Sequence, residues 1–230
     1  MNFATLSPAF AGLFPAGVVA AELRGAGDAA SLLPEEALSV VRAVPKRVQE
    51  FAAGRACARR ALAEFGITDY PLRVAPDRQP LWPPSLIGSI THTAGLCAAV
   101  VAERTRLRAL GVDTEVVGDV KRELWPTICT APELESLAAL DPTSRMAAVT
   151  LMFSAKEAFY KCQYPLTGQW LNFHDLIVNF PELAERGEFV VTPTRRLAIF
   201  DAAPSLPSHM SLRGRYRFHQ GYVSAGATLA

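Results

Sequence analysis

A chain of 230 residues, half of them hydrophobic and a fifth charged, with a formal net charge of +1, can bury one large core or two small ones. That balance excludes a disordered polymer, and the lack of a basic excess argues against a nucleic-acid partner. Cys57, Cys97, Cys129 and Cys162 form no CxxC pair and have no histidines at metal spacing, which argues against a disulfide framework or zinc site and predicts reduced, buried thiols.

The apolar run from Pro8 to Leu23 has no preceding Lys or Arg and is interrupted by Pro8 and Pro15. It reads as core rather than as a signal peptide. Nothing else approaches the length of a membrane span, so a cytoplasmic protein is expected. Residues 34–44 and 45–65 read as helices, the second closed by Gly66. A proline-rich loop at 76–85 leads into a strand–turn–strand over 86–92 and 95–102. Residues 110–117 read as a strand, and 121–140 as helix broken near Pro126 and Pro132. Asp141 and Pro142 open a long helix as N-cap and first residue, which Pro165 is expected to end. Short strands follow, including 174–180 and 221–229. Helices and strands intermix without a regular βαβ rhythm, which predicts an α+β fold. A faint internal repeat sets His92-Thr-Ala-Gly-Leu-Cys-Ala-Ala beside His219-Gln-Gly-Tyr-Val-Ser-Ala-Gly.

Three groups of residues carry chemistry. Asp113 and Glu115 are two apart on a strand and so share a face. Such a pair is either a solvent-facing edge or, within the valines that flank it, a site for a divalent cation such as Mg²⁺. In the long helix, Met146, Val149, Phe153 and Tyr160 form an apolar stripe that includes Glu157, with Lys161 one turn on. There the alternatives are a buried Glu157–Lys161 ion pair and a metal ligand. In the helix 45–65, Arg55 and Arg59 fall within the stripe of Val48, Phe51, Ala52 and Leu62, with Arg47 at its edge. Inward arginines need anions, and phosphate suits a guanidinium fork; snorkelling over apolar neighbours is the other reading. Arg78 in the proline-rich loop adds a further cation, and Thr91-His92 a hydroxyl and an imidazole beside a turn.

Taken in order, Gly54-Arg55, Gly88-Ser-Ile-Thr-His92, Gly111-Val-Asp-Thr-Glu115 and Phe153-Ser-Ala-Lys-Glu-Ala-Phe-Tyr-Lys161 resemble a 4′-phosphopantetheinyl transferase of the monomeric bacterial type. The similarity runs from about residue 30 to residue 180, and Glu50-Phe-x-x-Gly-Arg with Trp82-Pro points to the enterobactin-associated branch. The resemblance implies a pseudo-dimer of two similar α/β halves with the active site at their interface, residues 1–110 binding coenzyme A and 111–230 binding Mg²⁺. It implies that Asp113, Glu115 and Glu157 hold Mg²⁺ with the coenzyme A diphosphate, that Lys161 contacts the transferred phosphate, and that Lys156 lies near the same phosphates. Arg47, Arg55, Arg78, Thr91 and His92 would hold the 3′-phosphate and diphosphate, and Glu133, with Glu135 close by, or Glu157 outside its metal role would be the general base. The partner would be an apo acyl or peptidyl carrier protein of a fatty-acid, polyketide or nonribosomal peptide synthase, docking on residues 118–130 around Lys121, Arg122, Leu124, Trp125 and Ile128. Three positions depart from the family pattern. Thr91 replaces a more widespread serine, Thr114 a hydrophobic residue, and Glu35 and Glu36 stand near where related chains carry adenylate-binding lysines. The competing readings are a Mg²⁺-dependent phosphodiesterase and a non-catalytic coenzyme A or carrier-binding relative.

Overall fold

In a computed structural model that describes residues 8–202 and 212–229, two antiparallel sheets meet along one edge of each, and one long helix backs each sheet. A 3₁₀ turn at Pro8–Phe10 precedes β1 (Val19–Arg24). Ala9, Phe10 and Leu13 enter a core shared with Ala98, Val100, Leu110 and Val112, so part of the apolar N-terminal run is core, while Ala11, Pro15 and Ala16 are exposed.

The continuous helix expected over 34–44 does not form. It is a single turn, α1 (Pro34–Ala37), continued by a 3₁₀ segment at Leu38–Val40. Pro45 holds Val44 in extended backbone at φ −65°, ψ 153°, and Leu38, Val41 and Val44 are left exposed, so no packed apolar face sustains a longer helix. Next, α2 (Pro45–Ala63) is followed by Gly66 in the left-handed region at φ +73°. The hairpin of β2 (Leu86–Thr93) and β3 (Leu96–Glu103) completes a sheet of order β1-β3-β2. β3 is apolar along its length because both its faces are covered. Cys97 and Ala99 pack with Ala53, Cys57 and Ala58 of α2, while Ala98, Val100 and Ala102 face the shared core.

The second sheet begins with β4 (Ala109–Val116). Then come α3 (Trp125–Ile128), α4 (Ala131–Ala138), α5 (Pro142–Thr167), β5 (Leu176–Asn179), β6 (Arg186–Pro193), α6 (Ile199–Ala202), β7 (Leu212–His219) and β8 (Tyr222–Leu229). The sheet order is β4-β8-β7-β6-β5. Asp141 caps α5, its Oδ1 accepting the Thr143 and Ser144 N–H groups. Pro165 does not end this helix. It falls in the last turn, where only one intrahelical bond is forfeited, and Gly168 at φ +62° closes the helix by donating to the Tyr164 carbonyl. The stripe assigned to α5 is also displaced. Ala148, Met152, Ala155, Phe159 and Cys162 fill the core, whereas Met146 is 42% exposed and Phe153, Glu157 and Tyr160 lie half-buried along the flank.

Each sheet repeats one plan. A strand, a long helix and a hairpin follow in order, and β1-β3-β2 is topologically equivalent to β4-β8-β7. α2 packs on β1 and β3 as α5 packs on β4 and β8. The repeat read around His92 and His219 marks the two equivalent hairpin turns, with Gly95 at φ +75° and Gly221 at φ +81°. β5, β6 and α6 are additions to the second half.

Candidate active site

The two sheets meet where β2 runs beside β4. β4 pairs with β8 on one side only, which would leave its other edge with buried, unpaired N–H groups. Hydroxyls of β2 satisfy them: Ser89 Oγ accepts from Val112 N at 3.1 Å, and Thr91 Oγ1 from Thr114 N at 2.9 Å. The same strand reaches the acids. Thr91 Oγ1 donates to Asp113 Oδ1 at 3.3 Å and Thr93 Oγ1 to Glu115 Oε2 at 3.2 Å. Residues two apart on β2 thus serve carboxylates two apart on β4.

Gly111 explains how those carboxylates come to face α5. A Cβ at Gly111 would lie 2.0 Å from the Ala158 carbonyl oxygen and 2.6 Å from Cys162 N, so β4 can lie directly on α5 only with glycine there. Lys161 Nζ then donates to Asp113 Oδ1 at 2.7 Å. Asp113 is 3% exposed, and its Oδ2 is buried with no hydrogen-bond partner. Burial first and Asp113 second push Glu115 up to about 7, against the lowering effects of the Thr93 hydroxyl and Lys161. Burial also raises Glu157, offset by Lys161 and reinforced by Asp113. Lys161 is held above its ordinary value although burial opposes its charge, because Asp113, Glu157 and Glu115 surround it.

Among the described residues no three His, Cys, Asp or Glu side chains are drawn together as a ligand set. The orphaned Asp113 oxygen and the mutual repulsion of the three acids weigh more, because Asp113 is anchored by burial whereas half-buried Glu157 can turn about its side-chain bonds. Three carboxylates are hard oxygen donors, and such a set fits Mg²⁺.

Across the seam, Arg47 Nη1 lies 3.0 Å from His92 Nε2. A guanidinium only donates, so that nitrogen accepts and the ring is neutral. Burial lowers the His92 pKa, with Arg47 and Lys161 acting in the same direction and Glu50 and Asp113 opposing. Arg55 is buried, its Nε donating to the Leu72 carbonyl at 2.8 Å and its guanidinium lying 3.9 Å from the centre of the Phe51 ring. Burial lowers it to about 10, with Glu36 opposing and neighbouring Arg47 adding to the shift. Arg59 turns away to Glu36 and the Ser31 carbonyl.

Other residues expected at the site have partners elsewhere in the fold or lie apart from it. Glu133, 2% exposed, accepts from Thr130 N and Oγ1, from Val178 N and from Lys156 Nζ, so its carboxylate is engaged by four donors of the protein itself. Lys156, 1% exposed, gives its ammonium to Glu133 at 2.7 Å and the Ile128 carbonyl at 2.8 Å. Thr91 bridges Thr114 and Asp113 with its hydroxyl. Arg78 is exposed in a tight turn at φ +72° and joins no hydrogen bond of the arginine–histidine cluster. Glu135 is exposed on α4. Thr114 faces away from the acids, its hydroxyl paired with Ser224 Oγ at 2.9 Å.

Beside Glu157 opens a groove of about 730 Å³ lined by Tyr160, Trp170, Leu171, Asn172, Phe173 and neighbouring residues. The sequence reading missed it. Trp170 is 70% exposed and meets the Tyr160 ring edge-on at 5.4 Å, and the only signal in the chain was a large aromatic following Gly168.

Residues 34–102 match the family model of the 4′-phosphopantetheinyl transferase N-terminal domain, and residues 109–203 that of the 4′-phosphopantetheinyl transferase superfamily. The chain is 36% identical over 203 residues to the 4′-phosphopantetheinyl transferase PptT of Mycobacterium tuberculosis, covering 86% of each chain. It is 36% identical to the transferase Npt of Nocardia iowensis, over 73% of this chain and 75% of that one. Enterobactin synthase component D of Salmonella typhi is 40% identical over a shorter stretch, 50% of this chain and 48% of its own.

Proposed function

The chain belongs to the 4′-phosphopantetheinyl transferase family, and on that premise we propose how its own residues bind coenzyme A and deliver the phosphopantetheine arm to a carrier-protein serine. The observation that carries the reading is Asp113, buried with one oxygen orphaned, tied to Thr91 of one sheet and Lys161 of the helix behind the other.

Residues 1–110 supply the coenzyme A side of the seam and 111–230 the acid side. Arg47, Arg55 and His92 form the cluster that takes the 3′-phosphate, since two guanidinium groups and an imidazole suit a dianion. Asp113, Glu115 and Glu157 would hold Mg²⁺, which when bound neutralises charge on the diphosphate. Lys161 stays beside Asp113 and faces the phosphate being transferred, stabilising charge as it builds there. The groove along Tyr160 and Trp170 receives the pantetheine arm, an amide chain that needs apolar walls with a few polar groups. The serine oxygen attacks phosphorus, the bond to 3′,5′-ADP breaks, and the serine proton passes to a carboxylate. With Glu133 paired to Lys156, that carboxylate is Glu157 acting outside its metal role, directly or through a water, since it has no hydrogen-bond partner among the described residues. The carrier docks on 118–130, where Lys121, Arg122 and Leu124 are exposed and Arg122 lies over the Trp125 ring. Four buried free thiols support a reducing cytoplasm, and the protein acts as a monomer. No helix among the described residues is long and apolar enough to cross a membrane.

The test is to incubate the protein with coenzyme A, Mg²⁺ and a panel of apo carrier proteins, then weigh the intact carriers with and without EDTA. Gain of one phosphopantetheine arm, abolished by EDTA and by Glu157→Ala, is expected. Full turnover by both Asp113→Ala and Glu157→Ala would overturn the assignment of the acids. Hydrolysis of coenzyme A with no carrier modified would favour a phosphodiesterase.

A further inference from the structure

Outside the acid cluster, Glu36 is a fully buried carboxylate with no part in the roles above. Its Oε1 accepts the Leu72 N–H at 3.1 Å; its Oε2 accepts the Leu33 N–H at 3.0 Å and a guanidinium nitrogen of Arg59. Leu72 is itself fully buried, and its carbonyl accepts Arg55 Nε. One residue of a loop is therefore gripped at its N–H by Glu36 and at its C=O by Arg55. Arg55 and Arg59 are one turn apart on α2 and share a face, so Glu36 ties the loop to the helix at the point where Arg55 leaves it.

The consequence is directional. A guanidinium whose Nε is engaged, and whose plane rests on a ring, presents its two Nη nitrogens along one fixed edge. Neither Nη of Arg55 has a hydrogen-bond partner among the described residues. A hydrophobic side chain would fill position 36 with no charge to desolvate; what the carboxylate adds is control over where the Leu72 peptide sits.

We propose that Glu36 is a positioning residue for recognition of the 3′-phosphate of coenzyme A, acting through the Leu72 peptide on the orientation of Arg55. It rests on the reading of Arg47, Arg55 and His92 as the 3′-phosphate cluster. The two glutamates that stand in place of basic residues near α1 thus differ in kind. Glu35 is exposed, whereas Glu36 serves the same ligand from behind the arginine that touches it.

The experiment compares KM for coenzyme A and for dephospho-coenzyme A, which lacks the 3′-phosphate, in the parent, Glu36→Gln, Arg55→Gln and the double variant. Glu36→Gln is expected to narrow the preference for coenzyme A by about tenfold, the scale of one misaligned charge-assisted hydrogen bond. In the Arg55→Gln background it should narrow the preference no further. Should Glu36→Gln fail to fold, Glu36→Asp keeps the charge but retracts it from Leu72 and is read the same way. Equal increases in KM for both substrates, no change for either, or independent effects in the double variant would overturn the proposal while leaving the cluster intact. If Arg55→Gln itself leaves the preference untouched, the cluster reading fails, and the proposal with it.

Discussion

Thr91 and Asp113 share a hydrogen bond of 3.3 Å across the seam between the sheets, while the same threonine oxygen accepts the Thr114 N–H at 2.9 Å. One hydroxyl therefore pairs a buried backbone donor and orients a buried acid. Thr91→Val keeps the shape and removes the acceptor. It should destabilise the fold by about 1–3 kcal/mol, the cost of a buried unsatisfied group, and should lower turnover as Asp113 loses a partner. Thr91→Ser should restore both. Urea unfolding beside turnover gives the answer, and an unchanged midpoint in Thr91→Val would show that the hydroxyl does nothing for stability.

Glu133 and Lys156 form an enclosed ion pair, each side chain 1% exposed. Removing one charge leaves the other buried alone, so Glu133→Gln should cost about 3–5 kcal/mol of stability. Because Glu133 is saturated by its neighbours, turnover per folded molecule should fall far less than in Glu157→Ala. A fold of full stability with turnover abolished would return the general-base role to Glu133.

Gly111→Ala places a methyl group into the α5 backbone. Backbone cannot swing aside as a flexible side chain can, so β4 must lift from the helix at a cost of at least about 1–3 kcal/mol, carrying Asp113 away from Lys161. A lower melting temperature and loss of transfer are expected together. If the variant melts like the parent, β4 does not need so close an approach.

Charge reversal at the proposed docking surface, Lys121→Glu with Arg122→Glu, should raise KM for the carrier and flatten its salt dependence while leaving coenzyme A affinity as it was. Exposed rim charges act mainly on encounter, so about a tenfold change is the scale expected. Equal weakening toward coenzyme A, measured by calorimetry, would place these residues in the nucleotide site instead.

Much of this was legible in residue order. Local rules found α2, the β2–β3 hairpin, β4 and the Asp141 cap, because capping, turn and period signals act within a few residues. They failed where distant contacts decide. β1 reads as an undivided apolar run and is a strand because β3 lies beside it. The turn at Pro34–Ala37 stops short because nothing covers Leu38 and Val41.

The site divides along the same line. That Asp113 and Glu115 share a face, and that Lys161 lies one turn beyond Glu157, follows from the periods of strand and helix alone. That Glu133 and Lys156 neutralise each other, that Thr91 is spent on β4, and that Glu36 stands behind Arg55 follows from pairings between residues more than twenty positions apart. Whether a buried carboxylate is free to take a proton depends on which donors surround it, and those donors are gathered by packing rather than by spacing along the chain.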